Sequence, residues 1–106
     1  MPTLYEIAVD APLPGTLTYG QPKDRDDPLA PGTVVLVPLG RRKVTGYVLG
    51  PAAPADSDRP GFTVRPIADV LTASPFFPAD LVPFYRWIAR YYLHPIGEVI
   101  RTALPS

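Results

Sequence analysis

The positions of the prolines limit what this chain can fold into more than any other feature. The 106 residues include 16 prolines, and proline interrupts helices and central strands because it lacks a backbone N–H and fixes φ. Most of them fall between short apolar runs such as Leu4–Val9, Leu17–Gly20 and Thr33–Val37. Since 46% of the residues are hydrophobic, the prolines indicate corners between short strands rather than disorder.

The strongest strand signal is Thr33–Val37, which is apolar and rich in β-branched residues. We expect Pro38 to end this strand, residues 39–43 to form a hairpin loop, and residues 44–49 to form the return strand. Gly46 inside the return strand predicts a bulge or a close approach of another part of the chain.

Two polar segments separate the strands and predict flexible loops over residues 21–32 and 50–61. Extended structure resumes over residues 62–71, where Pro66 favours an edge position. Short strands with proline and glycine corners predict a small barrel-like sheet of about five to seven strands.

The hydrophobic period lengthens to about 3.6 residues after residue 78, which indicates that the chain ends in helices. The spacing predicts a helix over residues 78–92, with Pro83 as a kink or a restart, and a short helix over residues 97–103. The fold class is therefore mainly β (α+β). The aromatic residues of the first helix have helical spacing, so we expect them to pack in the core rather than to stack on bases. They are Phe84, Tyr85, Trp87, Tyr91 and Tyr92.

The composition argues against most enzyme classes. The sequence has no cysteine and one histidine, His94, so it lacks a thiolate nucleophile and the ligands of a usual zinc site. It also lacks a glycine-rich phosphate loop and a serine in a nucleophile-elbow context. His94 is better explained as a partner for the C-terminal end of the first helix. We expect a binding domain without a catalytic residue, metal or cofactor of its own.

Any nucleic-acid site in this chain is expected to be small, because ten basic residues balance ten acidic ones. The cations Arg41, Arg42 and Lys43 of the hairpin could contact phosphate oxygens, although a solvated hairpin tip explains them as well. The proline-rich corner of residues 10–20 could form a pocket wall with Tyr19, or it could be a plain turn.

The chain shows no pattern of a signal peptide, and no apolar run approaches the roughly 20 residues that a membrane-spanning helix needs. We expect a cytoplasmic protein without membrane contact, and a monomer because its neutral surface gives no reason for assembly. Residues 1–106 predict a single domain, and the ending RTALPS predicts the N-terminal part of a longer protein.

Four stretches form an ordered set of motifs along the chain. The most specific is YYLHPIGEVI at residues 91–100, followed by ALP at residues 103–105. Residues 12–14 (PLP) with Tyr19, residues 35–40 (VLVPLG) and residues 67–71 (IADVL) complete the set. The set covers essentially the whole chain and resembles the N-terminal DNA-binding domain of the bacterial replication-restart helicase family PriA (primosomal protein N′).

This resemblance implies that the domain captures the 3′-terminal nucleotide of the nascent leading strand at a stalled fork or D-loop, whatever its base. Arg41 and Arg42 could hold the penultimate phosphate. Members of the family often carry Phe and Asp where this chain has Leu17 and Thr18. Leucine offers an apolar wall that stacks less well on a base, and threonine offers a hydroxyl in place of a carboxylate. The residues implied to hold the nucleotide are Leu17, Thr18, Tyr19, Gly40 and Arg65.

For the full-length protein the resemblance implies an ATP-dependent 3′-to-5′ DNA helicase, with ATP/Mg and zinc sites beyond residue 106. Other primosome proteins and the single-stranded-DNA-binding protein would be its partners. The alternative function is a protein–protein adaptor domain that docks other primosome components or the rest of its own chain through the aromatic helix or the barrel edge.

Overall fold

The computed structural model of the chain describes residues 3–13, 15–52, 64–72 and 75–103. They form one five-stranded antiparallel sheet followed by two helices, which confirms the predicted mainly β fold. The strands are β1 (Leu4–Val9), β2 (Leu17–Gly20), β3 (Val34–Leu39), β4 (Arg42–Pro51) and β5 (Asp69–Val70), and a 3₁₀ turn (Ala79–Leu81) precedes the helices α1 (Val82–Tyr91) and α2 (Ile96–Ala103).

The strands lie in the order β2-β1-β4-β3-β5, and the two edges of the sheet meet through the segment before β5. Gly20 N donates to Arg65 O at 3.0 Å, and Ile67 N donates to Gly20 O at 3.0 Å. On its other side the segment reaches β3, because Ala68 N donates to Leu36 O at 2.8 Å. The sheet therefore closes on itself, in agreement with the predicted barrel-like form.

The strands β1, β3 and β4 each contribute to two separate cores, because successive side chains point to opposite faces of a sheet. Ile7, Val35 and Val48 are fully buried inside the barrel. Ala8 and Tyr47, from the same two strands β1 and β4, lie on the outer face and pack against α1 and α2. The helices thus cover one outer face of the barrel and fix the elements around the candidate site.

Pro38 lies inside β3, so the prediction that it ends the strand is wrong. Leu71 N donates to Val34 O, and Ala68 N donates to Leu36 O. Val34 and Leu36, which are alternate residues of β3, therefore direct their backbone polar groups toward β5. Pro38 is two residues further along, so its missing N–H faces the same side, beyond the residues that pair with β5. No ladder hydrogen bond is lost there, and the strand tolerates proline.

The hairpin between β3 and β4 is tighter than predicted. Leu39 pairs with Arg42, so only Gly40 and Arg41 form the turn. Gly40 has φ +62°, the left-handed conformation that the first central residue of a type II′ turn requires and that glycine adopts without strain. Arg42 and Lys43 belong to β4.

The strand β4 runs to Pro51, so it includes the first residues of the loop predicted over 50–61. Residues 53–61 lie outside the described part of the chain. Within β4, a Cβ at Gly46 would lie 2.6 Å from the side-chain atom Ile7 Cγ2 and 3.6 Å from Ala8 O, so the close neighbour of this glycine is a side chain rather than backbone. The register with β1 shifts between Glu6 and Ile7, so a bulge also occurs, further along β4 than Gly46.

The loop over residues 21–32 is attached to the barrel through several hydrogen bonds. The Tyr5 hydroxyl on β1 donates to Gln21 Oε1 at 2.6 Å and accepts from Leu29 N at 3.0 Å. Leu29 is buried in the barrel core. The flexibility of this loop stays a prediction.

The helical region confirms the restart predicted at Pro83, which occupies the first turn of α1 after the 3₁₀ turn. The second helix begins at Ile96, one residue before its predicted start. Its glycine allows close contact with the sheet: a Cβ at Gly97 would overlap the carbonyl of Val9 and lie 3.0 Å from Asp10 N. None of the helices in the described ranges is long and apolar enough to cross a membrane.

The prediction that the aromatic residues of α1 form core is right for Tyr85 and wrong for Phe84, Trp87, Tyr91 and Tyr92. Tyr85 is buried and meets Phe77 edge to face. The other four are 53–67% exposed, because Tyr85 and Val82 already supply the face that α1 turns toward the sheet. Trp87 and Tyr91, four residues apart, stack with ring centroids 5.2 Å apart.

Candidate nucleic-acid interface

One small cavity of about 190 Å³ collects residues from three separate parts of the barrel. The strand β2, the end of β3 with its turn, and the segment that closes the barrel each supply one wall. The structure thus brings all five residues implied to hold a 3′ nucleotide together around one opening. The lining residues are Leu17, Thr18, Tyr19, Pro38, Leu39, Gly40 and Arg65.

Tyr19 links two of these walls. Its ring is buried in the barrel core, with 4% of the residue exposed, and its hydroxyl donates to Pro38 O at 2.7 Å. Burial raises the pKa of the Tyr19 hydroxyl, and the Arg65 charge opposes that shift to a smaller extent. The phenol therefore stays protonated at neutral pH and acts as a hydrogen-bond donor that holds β2 against the end of β3.

Gly40 and Arg65 form the exposed rim of the cavity. Arg65 Nη1 donates to Gly40 O at 3.2 Å, which holds the guanidinium beside the turn. No atom lies within 4 Å of the position that a Cβ would take at Gly40. Glycine here leaves the turn backbone open, so a ligand could approach it closely, and Arg65 offers a cation with a planar fork of donors beside it.

Leu17 and Thr18 form the half-buried wall on β2. Leu17 pairs with Ile7 and packs against the barrel core, whereas Thr18 pairs with Glu6 on the neighbouring strand. Because β2 alternates, the apolar Leu17 and Tyr19 face the interior and Thr18 faces the other side. All three residues line the cavity, so β2 contributes the apolar surface of Leu17 and the Thr18 hydroxyl, while the Tyr19 hydroxyl is engaged by Pro38 O.

The three cations of the hairpin, Arg41, Arg42 and Lys43, are exposed and do not line the cavity. Arg41 follows Gly40 directly, so its backbone lies next to the rim. Sequence reasoning missed Pro38 and Leu39 as lining residues, although both belong to the VPLG stretch that already pointed to Gly40.

His94 lies between α1 and α2 and takes part in local contacts. Its backbone N donates to Ala89 O at 2.9 Å, and its Nε2 lies 3.5 Å from Glu98 Oε1. In the part of the chain that the structure describes, no group of three or more His, Cys, Asp or Glu residues could hold a metal ion.

A second, larger cavity of about 610 Å³ lies between the corner after β1 and the two helices. At its base Glu6 accepts two hydrogen bonds from Arg86, at 2.9 and 2.5 Å, and one from the Thr16 hydroxyl at 2.7 Å. These bonds attach α1 to β1 and β1 to the corner that precedes β2. No local pattern in the sequence points to this network, because Glu6 and Arg86 are 80 positions apart.

We expect the Glu6–Arg86 network to make the free energy of unfolding depend on pH. The hydrogen bonds from Arg86 outweigh burial and hold the pKa of Glu6 below its ordinary value of 4.5. A carboxylate whose pKa is lower in the folded state stabilises the fold fully above its ordinary pKa. This stabilisation is lost as the pH falls through the folded pKa. Because both side chains are partly exposed, we expect Glu6→Gln to lower the free energy of unfolding at pH 7 by only about 1 kcal/mol.

Urea unfolding of both proteins from pH 7 to pH 3 measures this effect. The difference between wild type and Glu6→Gln should shrink below about pH 4.5, and Arg86→Gln should produce a comparable loss at pH 7. A difference that stays constant across this range would contradict the assignment.

Comparison with known proteins shows which family this sequence matches. The family model of the PriA 3′ DNA-binding domain (3′BD) matches residues 6–105. The replication restart protein PriA of Chlamydia muridarum is 34% identical over 104 residues, which cover 95% of this chain and 14% of that protein. PriA of Synechocystis is 34% identical over 100 residues (93% and 12%), and PriA of Haemophilus influenzae is 32% identical over 102 residues (96% and 13%). The chain thus spans 12–14% of the length of these relatives.

Proposed function

Because this chain belongs to the PriA 3′ DNA-binding domain family, we propose that its small cavity captures the 3′-terminal nucleotide of a DNA strand, whatever its base. The membership supports the broader statement that this is a DNA-binding domain of a replication-restart protein. The nascent leading strand at a stalled fork or D-loop is the proposed physiological ligand.

One observation carries the proposal. Leu17–Tyr19, Gly40 and Arg65, which are far apart in the sequence, line a single cavity of about 190 Å³. A cavity of that size suits the end of a strand better than a continuing strand, which would need an open path on both sides. The apolar side of Leu17 offers a wall for a base, and Arg65 with the Gly40 backbone offers contacts that do not depend on base edges.

The net charge of zero agrees with end capture. A protein that coats DNA neutralises many phosphates and loses affinity steeply as salt rises. An end pocket instead reads one nucleotide by shape and a few hydrogen bonds, so few counterions are released. Of the hairpin cations, Arg41 is the nearest in sequence to the rim and is the proposed contact for the penultimate phosphate, with Arg42 beside it.

The test compares two fluorescent single-stranded oligonucleotides, one with a free 3′ hydroxyl and one with a 3′ phosphate. We expect the free hydroxyl to bind at least about tenfold more tightly, because the phosphate adds bulk and charge at the position that the hydroxyl would occupy in a cavity of this size. The dependence on salt should be shallow, and exchange of the 3′-terminal base should change the affinity little. Equal affinity for the two ends would contradict end capture.

The exposed aromatic face of α1 favours a second function, that of a protein–protein adaptor. Phe84, Trp87 and Tyr91 follow one another at helical spacing and are each more than half exposed, and exposed aromatic clusters are typical of interaction surfaces. Absence of DNA binding, together with binding to a fragment from the rest of the full-length protein, would favour this function over end capture.

The activity of the whole protein is likewise a proposal. We propose that the rest of the full-length protein carries an ATP-dependent helicase with ATP/Mg and zinc sites. We further propose that the protein acts in the cytoplasm with other primosome proteins and the single-stranded-DNA-binding protein. The support is the PriA name shared by the relatives. For the domain itself we propose a monomer without a cofactor.

A further inference from the structure

The larger cavity adjoins the proposed end pocket along β2. Thr16 lines the larger cavity and Leu17 lines the smaller one, so neighbouring residues of the chain belong to the two walls. Glu6, at the base of the larger cavity, pairs with Thr18 of the smaller one. Thr18 and Thr16 are alternate residues and so lie on one face, and a strand that passed over them from the end pocket toward Gly15 would reach the larger cavity, which we call the β2–α1 groove.

Among the charged side chains that line the β2–α1 groove, one cation is available to a ligand. Arg86 is occupied by Glu6 through two hydrogen bonds, and that pair contributes no net charge. His94 lies 3.5 Å from Glu98. Arg90 lines the groove, is exposed, and has no acidic partner within 4.0 Å among the residues that the structure describes. The groove thus offers a site for one phosphate.

The rim of the groove carries an unusual apolar residue. Leu93 has φ +53°, a conformation that is uncommon for residues other than glycine, and it is 91% exposed. The backbone bond from His94 N to Ala89 O closes the end of α1 around it. The left-handed φ is that of a residue just after a helix C-cap, so the exposure of Leu93 is what matters: together with Pro12 and Pro95 it gives the groove an apolar surface.

From these observations we propose that the β2–α1 groove binds the nucleotides that precede the 3′-terminal dinucleotide. Arg90 contacts a phosphate of this segment, and Leu93 with Pro95 packs against its sugars and bases. The inference rests on the proposed function, because it continues the same strand from the end pocket. The alternative occupant of such a groove, an acidic peptide, is an outcome of the test below.

The test measures affinity for a dinucleotide and a hexanucleotide with the same free 3′ end, in wild type and in Arg90→Ala. Wild type should bind the hexanucleotide more tightly. Arg90→Ala should weaken hexanucleotide binding by about tenfold and reduce its salt slope by slightly less than one, while dinucleotide binding stays within about twofold. Arg90→Lys should retain most of the gain with length, and Arg25→Ala, which removes a partly exposed arginine that lines neither cavity, should change nothing.

The outcomes separate the two proposals. If wild type does not distinguish a 3′ hydroxyl from a 3′ phosphate at either length, the proposed function fails. If it does distinguish them but length brings no gain, or the gain survives Arg90→Ala, only the groove inference is overturned. Binding of an acidic synthetic peptide that needs Arg90 and is not displaced by the hexanucleotide would overturn it too and assign the groove to a protein partner.

Discussion

Gly97→Ala is expected to lower the free energy of unfolding by about 3 kcal/mol or more, the largest effect of any single substitution proposed for this chain. A methyl group at this position would overlap the carbonyl of Val9 and lie 3.0 Å from Asp10 N. Both are backbone atoms of the sheet, so neither can rotate away. Alanine would gain about 1 kcal/mol of helix propensity over glycine, which is too little to offset separating α2 from β1.

Denaturant unfolding of Gly97→Ala measures this loss, and Gly20→Ala is its matched control. A Cβ at Gly20 would meet its nearest neighbour at an ordinary 3.7 Å, and no positive φ applies there. We expect the control to lose about 1 kcal/mol or less. If the two variants are equally stable, α2 does not approach the sheet as closely as described, and the glycine of the HPIG motif has another role.

Arg65→Ala is expected to reduce affinity for a 3′-hydroxyl oligonucleotide by about tenfold to a hundredfold, because one or two charge-assisted hydrogen bonds are lost. The arginine is exposed and its described contact is one hydrogen bond to Gly40 O at 3.2 Å. Removing it should therefore change the free energy of unfolding by less than about 1 kcal/mol. The two measurements together distinguish a ligand contact from a structural residue.

Arg25→Ala is again the control, because it removes an equal charge whose described partner is Asp27. Tyr19 is a poor choice for this test, since Tyr19→Ala would open the core and weaken binding indirectly. An Arg65→Ala protein that binds a free 3′ end as well as wild type does would exclude Arg65 from the site. A parallel loss with a 3′-phosphorylated strand would show a general electrostatic effect instead.

The strands were predictable because their signals are local. β1 and β2 have the predicted bounds, since each is an apolar run closed by residues that end strands. Pro38 was assigned wrongly because its effect depends on which side of β3 lacks a partner, and the sequence does not contain that information. The length of the Gly40-Arg41 turn likewise depends on the pairing of β3 with β4.

The aromatic helix shows a different limit of sequence reasoning. A period of 3.6 identifies an amphipathic helix, but α1 has large apolar residues on more than one side, and the period does not say which side meets the sheet. The structure selects Val82 and Tyr85 and leaves Trp87 and Tyr91 exposed. Large aromatic side chains normally pack in the core. Helical positions where they are exposed instead are expected at interaction surfaces.

The candidate site was located by resemblance rather than by physical pattern. Composition indicated only a small site, and the corner and the hairpin were each explained equally well as plain turns. Arg65 carries no local signal, and its place beside Gly40 depends on the closure of the barrel. The Glu6–Arg86 pair was unpredictable for the same reason, because long-range contacts leave no periodic trace in a sequence.

The closure of the barrel also determines when the site forms during folding. The β3–β4 hairpin is local in sequence, whereas the bonds from Gly20 to Arg65 and Ile67 join distant segments and carry a larger loop-closure entropy. Contacts of this kind tend to form late, and Arg65 lies in the closing segment. We therefore expect the capacity to hold a strand end to arise late in folding, when the barrel closes, and a ligand bound there to stabilise the closed domain.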